Sequence, residues 1–253
     1  MYPFPMYSDT VPSVTVEQMI IVDDLMIQYY KISLIQMLEN AGRCLAITAN
    51  MLFLQGSPAG KTVVVLAGNG GNGGGAIACG RRLHNWGAHV ILGLARPESE
   101  LKSATMLQIE IIHSLGVPII SAEDLPHIAS PDLVIDGVIG YSLNGDPTGG
   151  AASLIHWANN QPAPVLALDI PSGVDGSDGI PHGIAVRSTA TVTLALPKKG
   201  LYAPAARAFV GDLYLADISA PPELYTHPSL GLIIPADLFA QSDIVRLRYP
   251  NSD

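Results

Sequence analysis

Charge is scarce in this sequence. Asp, Glu, Lys and Arg make up only 14% of its 253 residues, against about a quarter in an average soluble domain. What charge there is leans negative, with 13 Lys and Arg against 22 Asp and Glu and a net charge of −9. Broad affinity for nucleic acid rests on cationic side chains at phosphates, so it is disfavoured. The shortage of charge also points to surface covered by a partner, most simply a second copy of the chain as a homodimer. Cysteine is nearly absent. Cys44 and Cys79 lie in helix-like segments without Cys-x-x-Cys spacing, which excludes a disulfide framework and predicts buried free thiols. His84, His89 and His113 show no metal spacing and are expected to be structural or solvated. Long apolar runs are missing too. No stretch approaches the roughly 18 residues of a membrane span, and residues 1–8 lack the basic start and apolar core of a signal peptide. A cytoplasmic chain is expected.

Apolar residues make up 48%, enough for a sizeable core, and the length suits one α/β domain over residues 1–253 with its core at about 15–220. Residues 1–13 carry Pro and Tyr without periodicity and predict an extended arm. Thr15 with Gln18 has capping-box spacing, and helical periodicity follows to Tyr30. A second helix is predicted from Ser33 to about Gln55-Gly56. Strand and helix signals then alternate. Strands are predicted at 62–67, 89–94, 117–120, 133–136, 165–169 and 191–196, with edge strands at 210–216 and 232–234. Helices are predicted at 73–86, 99–115 and 151–159. This alternation implies right-handed crossovers, a mainly parallel sheet and helices on both faces.

The segment GNGGNGGG at 68–75 follows a predicted strand and opens a predicted helix. Residues without Cβ let the backbone approach a phosphate, and a helix N-terminus offers free N–H donors. A tight turn without a ligand is the alternative, though six glycines in eight residues exceed what a turn needs. Gly68-x-Gly70-x-x-Gly73 matches the dinucleotide fingerprint. The acid that would hold a ribose at the end of the next strand is missing, because Leu94-Ala95-Arg96-Pro97 stands there. An ordinary dehydrogenase is therefore disfavoured.

Two apolar strands end in Asp136 and Asp169, each followed by a glycine-rich loop. In open α/β sheets ligands lie beyond the carboxyl ends of strands, so both can converge with the glycine loop. Either can instead cap a turn. Asn72, Asp136 and Ser172 together offer only oxygen ligands, which favours a hard cation over zinc or copper. Lys198 follows a strand in PKKG and can meet an anion or stand in a solvated loop.

These pieces, in this order, resemble the YjeF N-terminal family, the NAD(P)H-hydrate epimerases. The resemblance rests on VEQM at 16–19, MLENAGR at 37–43, VVLAGNGGNGGG, VIDGVIG at 134–140, ALDIPSGVDG at 167–176, and TLALPKKGL running into GDLYLADISAP. It implies a Rossmann-like three-layer α/β/α sandwich, usually dimeric, that interconverts the R and S forms of hydrated NADH or NADPH. Carried over residue by residue, Gly71, Asn72, Gly73, Gly74 and Gly75 would contact substrate. So would Gly140, Tyr141, Ser142, Leu143, Asn144, Gly145, Asp146, Asp169 and Lys198. Asp169 would be catalytic, and Asn72, Asp136 and Ser172 would hold a potassium ion. The family loop typically reads GNNGGDG. Here Asn72 keeps its second Asn, Gly71 replaces the first, and Gly75 replaces the aspartate. Some relatives of this fold are dimeric scaffolds in RNA metabolism, so a non-catalytic nucleotide- or RNA-binding scaffold is the alternative the resemblance allows.

Overall fold

The computed structural model describes residues 3–128 and 130–249. Two helices come first, α1 (Val16–Asp24) and α2 (Leu34–Leu52), with a π-helical turn at Leu25–Tyr29 between them. Both open on capping boxes, Thr15 with Gln18 and Ser33 with Gln36, which satisfy otherwise orphaned N–H donors at each start. There follow β1 (Thr62–Ala67), α3 (Gly71–Asn85), β2 (His89–Leu94), α4 (Ser103–Ser114), β3 (Ile119–Ser121), β4 (Leu133–Gly137), α5 (Gly149–Asn159) and β5 (Val165–Leu168). The chain continues through β6 (Ala190–Leu194), α6 (Arg207–Val210), β7 (Asp212–Ala216), α7 (Pro222–Tyr225) and β8 (Ile244–Arg246).

The eight strands form one sheet in the order β3-β2-β1-β4-β5-β6-β7-β8. All pairs are parallel except β7 with β8. Alternate residues of β1 serve opposite faces, as the strand period of two requires. Val63, Val65 and Ala67 join the core beneath α2, α3 and α4, whereas Val64 and Leu66 join a second core with Leu154, Ile155 and Trp157 of α5. The result is the expected three-layer α/β/α sandwich. The chain runs outward from β1 through β2 to β3 and then returns to β4 on the other side of β1. A crevice opens between the carboxyl ends of β1 and β4, where strand order reverses.

Several boundaries differ from expectation, each for a local reason. The third helix begins at Gly71 rather than at 73, with Gly70 as its N-cap. The strand expected at 165–169 stops at Leu168, because Asp169 adopts a left-handed conformation at φ +66; Ala195, at φ +60, ends β6 in the same way. No strand forms at 232–234: Ile233 is exposed, and Pro235 just beyond has no N–H to give a ladder. The edge is β8 instead, running antiparallel to β7. Val210 closes α6 rather than starting β7, separated from it by Gly211 at φ +63.

The N-terminal arm is extended but anchored. Phe4 and Val11 are buried. The N–H of Tyr7 donates to the Arg246 carbonyl at 2.9 Å, and the N–H of Arg246 donates to the Pro5 carbonyl at 2.9 Å. The arm thereby covers the edge that β8 would leave open. Further on, the N–H of Val14 donates to the Pro197 carbonyl and that of Lys199 to the Val14 carbonyl, both at 2.9 Å. This clamp fixes α1 beside the strand ends.

Candidate functional site

A cavity of about 540 Å³ opens at the crevice, within the size range of small-molecule sites. The loop after β1 forms one side, through Gly68, Asn69, Gly70, Gly71, Asn72 and Gly75. The N–H groups at 71–73 lead α3 and have no acceptor within the helix, so they form an anion-binding end. The loop is held from behind, where Thr105 Oγ1 donates to the Gly70 carbonyl at 2.9 Å and the Lys102 N–H to the Asn69 carbonyl at 3.1 Å. Gly73 and Gly74 do not line the cavity. A Cβ on Gly73 would strike the Gly68 carbonyl, and one on Gly74 would lie 2.8 Å from Leu38 Cδ1, so their missing side chains serve close packing. At Gly75, where the family pattern has aspartate, a side chain would meet Leu168 Cδ2 at 2.9 Å, with Ala41 Cβ at 3.6 Å.

The loop after β4 supplies the opposite side. Gly140, Tyr141, Ser142, Leu143, Asn144, Gly145 and Asp146 all line the cavity. Asp136 lies behind them one residue before the end of β4, paired in register with Leu66 and Ala167. It is fully buried. Its Oδ1 accepts from Ser172 Oγ at 2.6 Å and from the Val138 N–H at 3.2 Å, and its Oδ2 accepts from the Ser172 N–H at 2.8 Å. Ser172 Oγ in turn accepts from the Ile139 N–H at 2.8 Å. Next to Ile139, a Cβ on Gly140 would touch Asn72 Cγ at 3.2 Å. Three segments distant in sequence thus meet here: Asn72 from α3, Asp136 from β4 and Ser172 from beyond β5.

Among the described residues no cation pairs with Asp136. Burial pushes its carboxyl up from the usual 3.8 to about 6, against the pull of its hydrogen bonds from Ser172 and Val138. Asn72 Nδ2, also buried, has no acceptor. The two amide ends of Asn are exchanged by a simple flip, which would turn an oxygen to that position. A lone buried carboxylate, a hydroxyl, backbone carbonyls and an amide oxygen make a donor set suited to a hard monovalent cation. The residues therefore fit potassium.

Asp169 and Lys198 form the floor. Lys198 is completely buried, not solvated, and Asp169 nearly so. Lys198 Nζ donates to Asp169 Oδ1 and to the Leu194 carbonyl, the latter at 3.0 Å. The Leu194 N–H and Thr193 Oγ1 also reach Asp169 Oδ1, at 3.2 and 3.3 Å. Both residues of the ion pair line the cavity.

The N-terminal helices supply a wall that sequence reasoning did not place, including Met19, Asp23, Ile27, Leu34, Leu38 and Ala41. Asp23 accepts a hydrogen bond from the Tyr141 hydroxyl. One signal for it was present, since Asp23 is four residues after Met19 and three before Met26, on the helix stripe that is buried here. A second cavity of about 660 Å³ adjoins the first and shares Ala95 and Arg96 with it. The cysteines are buried free thiols as expected, with Cys44 pushed up to about 12 by burial. Among the described residues no helix is long and apolar enough to cross a membrane.

Comparison with known proteins bears on the family and the fold. A relative from Dehalogenimonas lykanthroporepellens named NAD(P)H-hydrate epimerase is 40% identical over 219 residues, covering 86% of each chain. A protein of the same name from Oenococcus oeni is 35% identical over 158 residues, covering 62% of this chain and 74% of its own. The crystal structure of yeast ynu0 superposes with a TM-score of 0.75 at 20% identity, over 94% of this chain and all of that one, a likeness of fold. The family model described as YjeF-related protein N-terminus matches residues 34–200, and the chain belongs to that family.

Proposed function

We propose that this chain is an NAD(P)H-hydrate epimerase, interconverting the R and S forms of NADH or NADPH that carry a hydroxyl at C6 of the nicotinamide ring. The observation that carries the reading is one cavity edged by a glycine-led helix N-terminus and floored by the buried Asp169–Lys198 pair, in a chain whose relatives bear that name. The N–H groups at 71–73 hold the diphosphate. The loop 140–146 contacts the rest of the substrate, and the adjoining cavity past Arg96 gives room for the second half of the dinucleotide. Once the C6 hydroxyl is protonated, the ring nitrogen lone pair expels it and leaves a flat iminium cation. Asp169 is the acid/base group of this reaction and stabilises the cation by its charge. Water returning to the other face inverts the centre without redox change.

Potassium, held by Asn72, Asp136 and Ser172, would neutralise the buried Asp136 and fix the loop that Ile139 begins. In this reading residues 1–253 act as one domain, since Leu224, Leu238 and Val245 join the same core as α2 and α3. The working unit is a cytoplasmic homodimer in this reading; the second copy is supported by the exposed apolar side chains Leu107 and Ile111 of α4 and Leu115 at its C-cap.

Pure S-hydrate supplied to the wild-type protein is expected to yield the R form, followed by chromatography, faster than it does unaided. Asp169→Ala is expected to fall to the spontaneous rate. If the wild type only matches that rate, the epimerase reading fails.

Asp136 gives a test of the ion with a definite sign. Its folded-state value lies above its unfolded one, so the native protein keeps this proton where the unfolded chain has released it. Without the ion, its contribution falls as pH rises from about 4 to about 6, and the full penalty of about 3 kcal/mol is present above that. Potassium is therefore expected to raise the melting temperature more at pH 8 than at pH 5, relative to choline at equal ionic strength. An equal shift at both pH values would remove Asp136 from the ion site.

A further inference from the structure

Besides Asp169 and the loop residue Asp146, the cavity contains a further carboxyl group to which the reaction above gives no task. Asp23 reaches it from α1, which the Val14 clamp and the Thr15 capping box hold in place. The Tyr141 hydroxyl donates to Asp23 Oδ2, which fixes the carboxyl and leaves Oδ1 outside that bond. Both residues line the cavity together with Asp169 and Lys198. Burial raises the Asp23 carboxyl above its ordinary value. The Tyr141 hydrogen bond and the Lys198 charge oppose that rise, whereas Asp169 and Asp24 add to it. A carboxyl so placed keeps its proton closer to neutral pH, where a general acid is useful. Asp169 is in a contrasting setting, with the Lys198 ammonium donating to its Oδ1.

Inversion at one carbon needs proton transfer on two faces, since water leaves from one and returns to the other. Resting on the epimerase reading, we propose that Asp23, held by Tyr141, and Asp169, held by Lys198, serve opposite faces of the nicotinamide C6, each moving the proton of the water on its own side. In one direction the Asp23 proton passes to the C6 hydroxyl. The C6–O bond breaks with its electron pair on oxygen, a water leaves, and the ring nitrogen lone pair forms the C6=N bond. A second water then bonds to C6 from the Asp169 side, the C6=N π pair returns to nitrogen, and Asp169 takes the proton lost by that water. One water has left, one has added, and one proton has moved from Asp23 to Asp169. Exchange with solvent resets the pair, and the reverse reaction exchanges their roles.

Incubation in ¹⁸O-labelled water separates the two faces. Wild-type protein is expected to interconvert the epimers and to label both. Asp23→Asn is expected to slow interconversion by about 100-fold or more, yet to continue labelling one epimer, without inversion, well above the spontaneous rate. Tyr141→Phe removes the hydrogen bond that holds the Asp23 value down, so the limb of the pH–rate profile belonging to Asp23 should move to higher pH. Interconversion at the wild-type rate by Asp23→Asn overturns the proposal. So does equal loss of labelling in both epimers by a folded variant, which would mark a structural role. Should Asp23→Asn not fold, an unmoved limb in Tyr141→Phe overturns it and a moved limb supports it. Failure of the epimerase reading itself looks different, because the wild type would then neither interconvert nor label either epimer above background.

Discussion

Lys198→Met is expected to destabilise the folded chain by about 3–5 kcal/mol, the usual cost of leaving one charge of a buried pair alone. Lys198 is fully buried and Asp169 is 3% exposed, so water from the cavity replaces only part of what the missing ammonium gave to Asp169 and the Leu194 carbonyl. The methionine fills similar volume, which confines the loss to electrostatics and hydrogen bonding rather than to a cavity. The double variant Lys198→Met with Asp169→Asn removes both charges, and Asn tolerates the left-handed backbone found at 169. It should recover most of the lost stability in a urea titration. It should not recover activity, because the group assigned to proton transfer is gone, a loss of about 10²- to 10⁴-fold. Equal stability of wild type and Lys198→Met would mean that the pair is hydrated in solution.

Gly68→Ala is the second change with a large expected effect. A Cβ at 68 would fall inside the contact distance of the Val138 carbonyl oxygen, with the carbonyl carbon at 3.0 Å. The obstacle is backbone and cannot rotate away. The Gly68 N–H also donates to the Gly137 carbonyl at 3.1 Å, so the added methyl forces apart the ends of β1 and β4. That movement displaces Ile139 from Ser172 and Gly140 from Asn72. A destabilisation of about 4 kcal/mol, at the high end for a point change, is expected with loss of NADP binding by calorimetry. Gly70 provides the contrast. It is the N-cap of α3 in extended conformation, with nothing within 4 Å of an added Cβ. Gly70→Ser should keep or slightly raise the melting temperature, since Ser is a good N-cap, while crowding a cavity wall. If Gly68→Ala were as stable as Gly70→Ser, the close apposition of the two strand ends would be wrong.

Local chemistry made much of this fold legible before any coordinates. TVVVLA is continuous and β-branched because β1 is covered on both faces. The Thr15–Gln18 capping box marked the first helix start, and the glycine density marked a helix that opens against a crevice; the Ser33–Gln36 box was not singled out. What escaped depends on long-range partners. Leu232, Ile233 and Ile234 have strand composition, but whether a ladder forms depends on which segment β7 accepts, and β7 accepts Ile244–Arg246. Asp169 and Ala195 leave their strands in left-handed turns that composition does not signal. At the site, the strand-end aspartates followed from the general position of ligands in open sheets. The burial of Lys198 did not, because PKKG looks the same in a solvated loop. Asp23 was hidden differently: the stripe on α1 was visible, but not the surface it would face.

The Val14 clamp has a consequence for the order in which the molecule is made. The helix carrying Asp23 is translated before its anchors, Pro197 and Lys199, which emerge from the ribosome some 180 residues later. Until then α1 lacks this clamp, and the part of the wall that carries Asp23 is not fixed. Such a contact is slow to close and adds late order to a sheet otherwise built from neighbours. A nascent or truncated chain ending before residue 197 would therefore present the glycine loop with its phosphate-binding N–H groups, while Asp23 lacked its clamp and Asp169 its Lys198 partner.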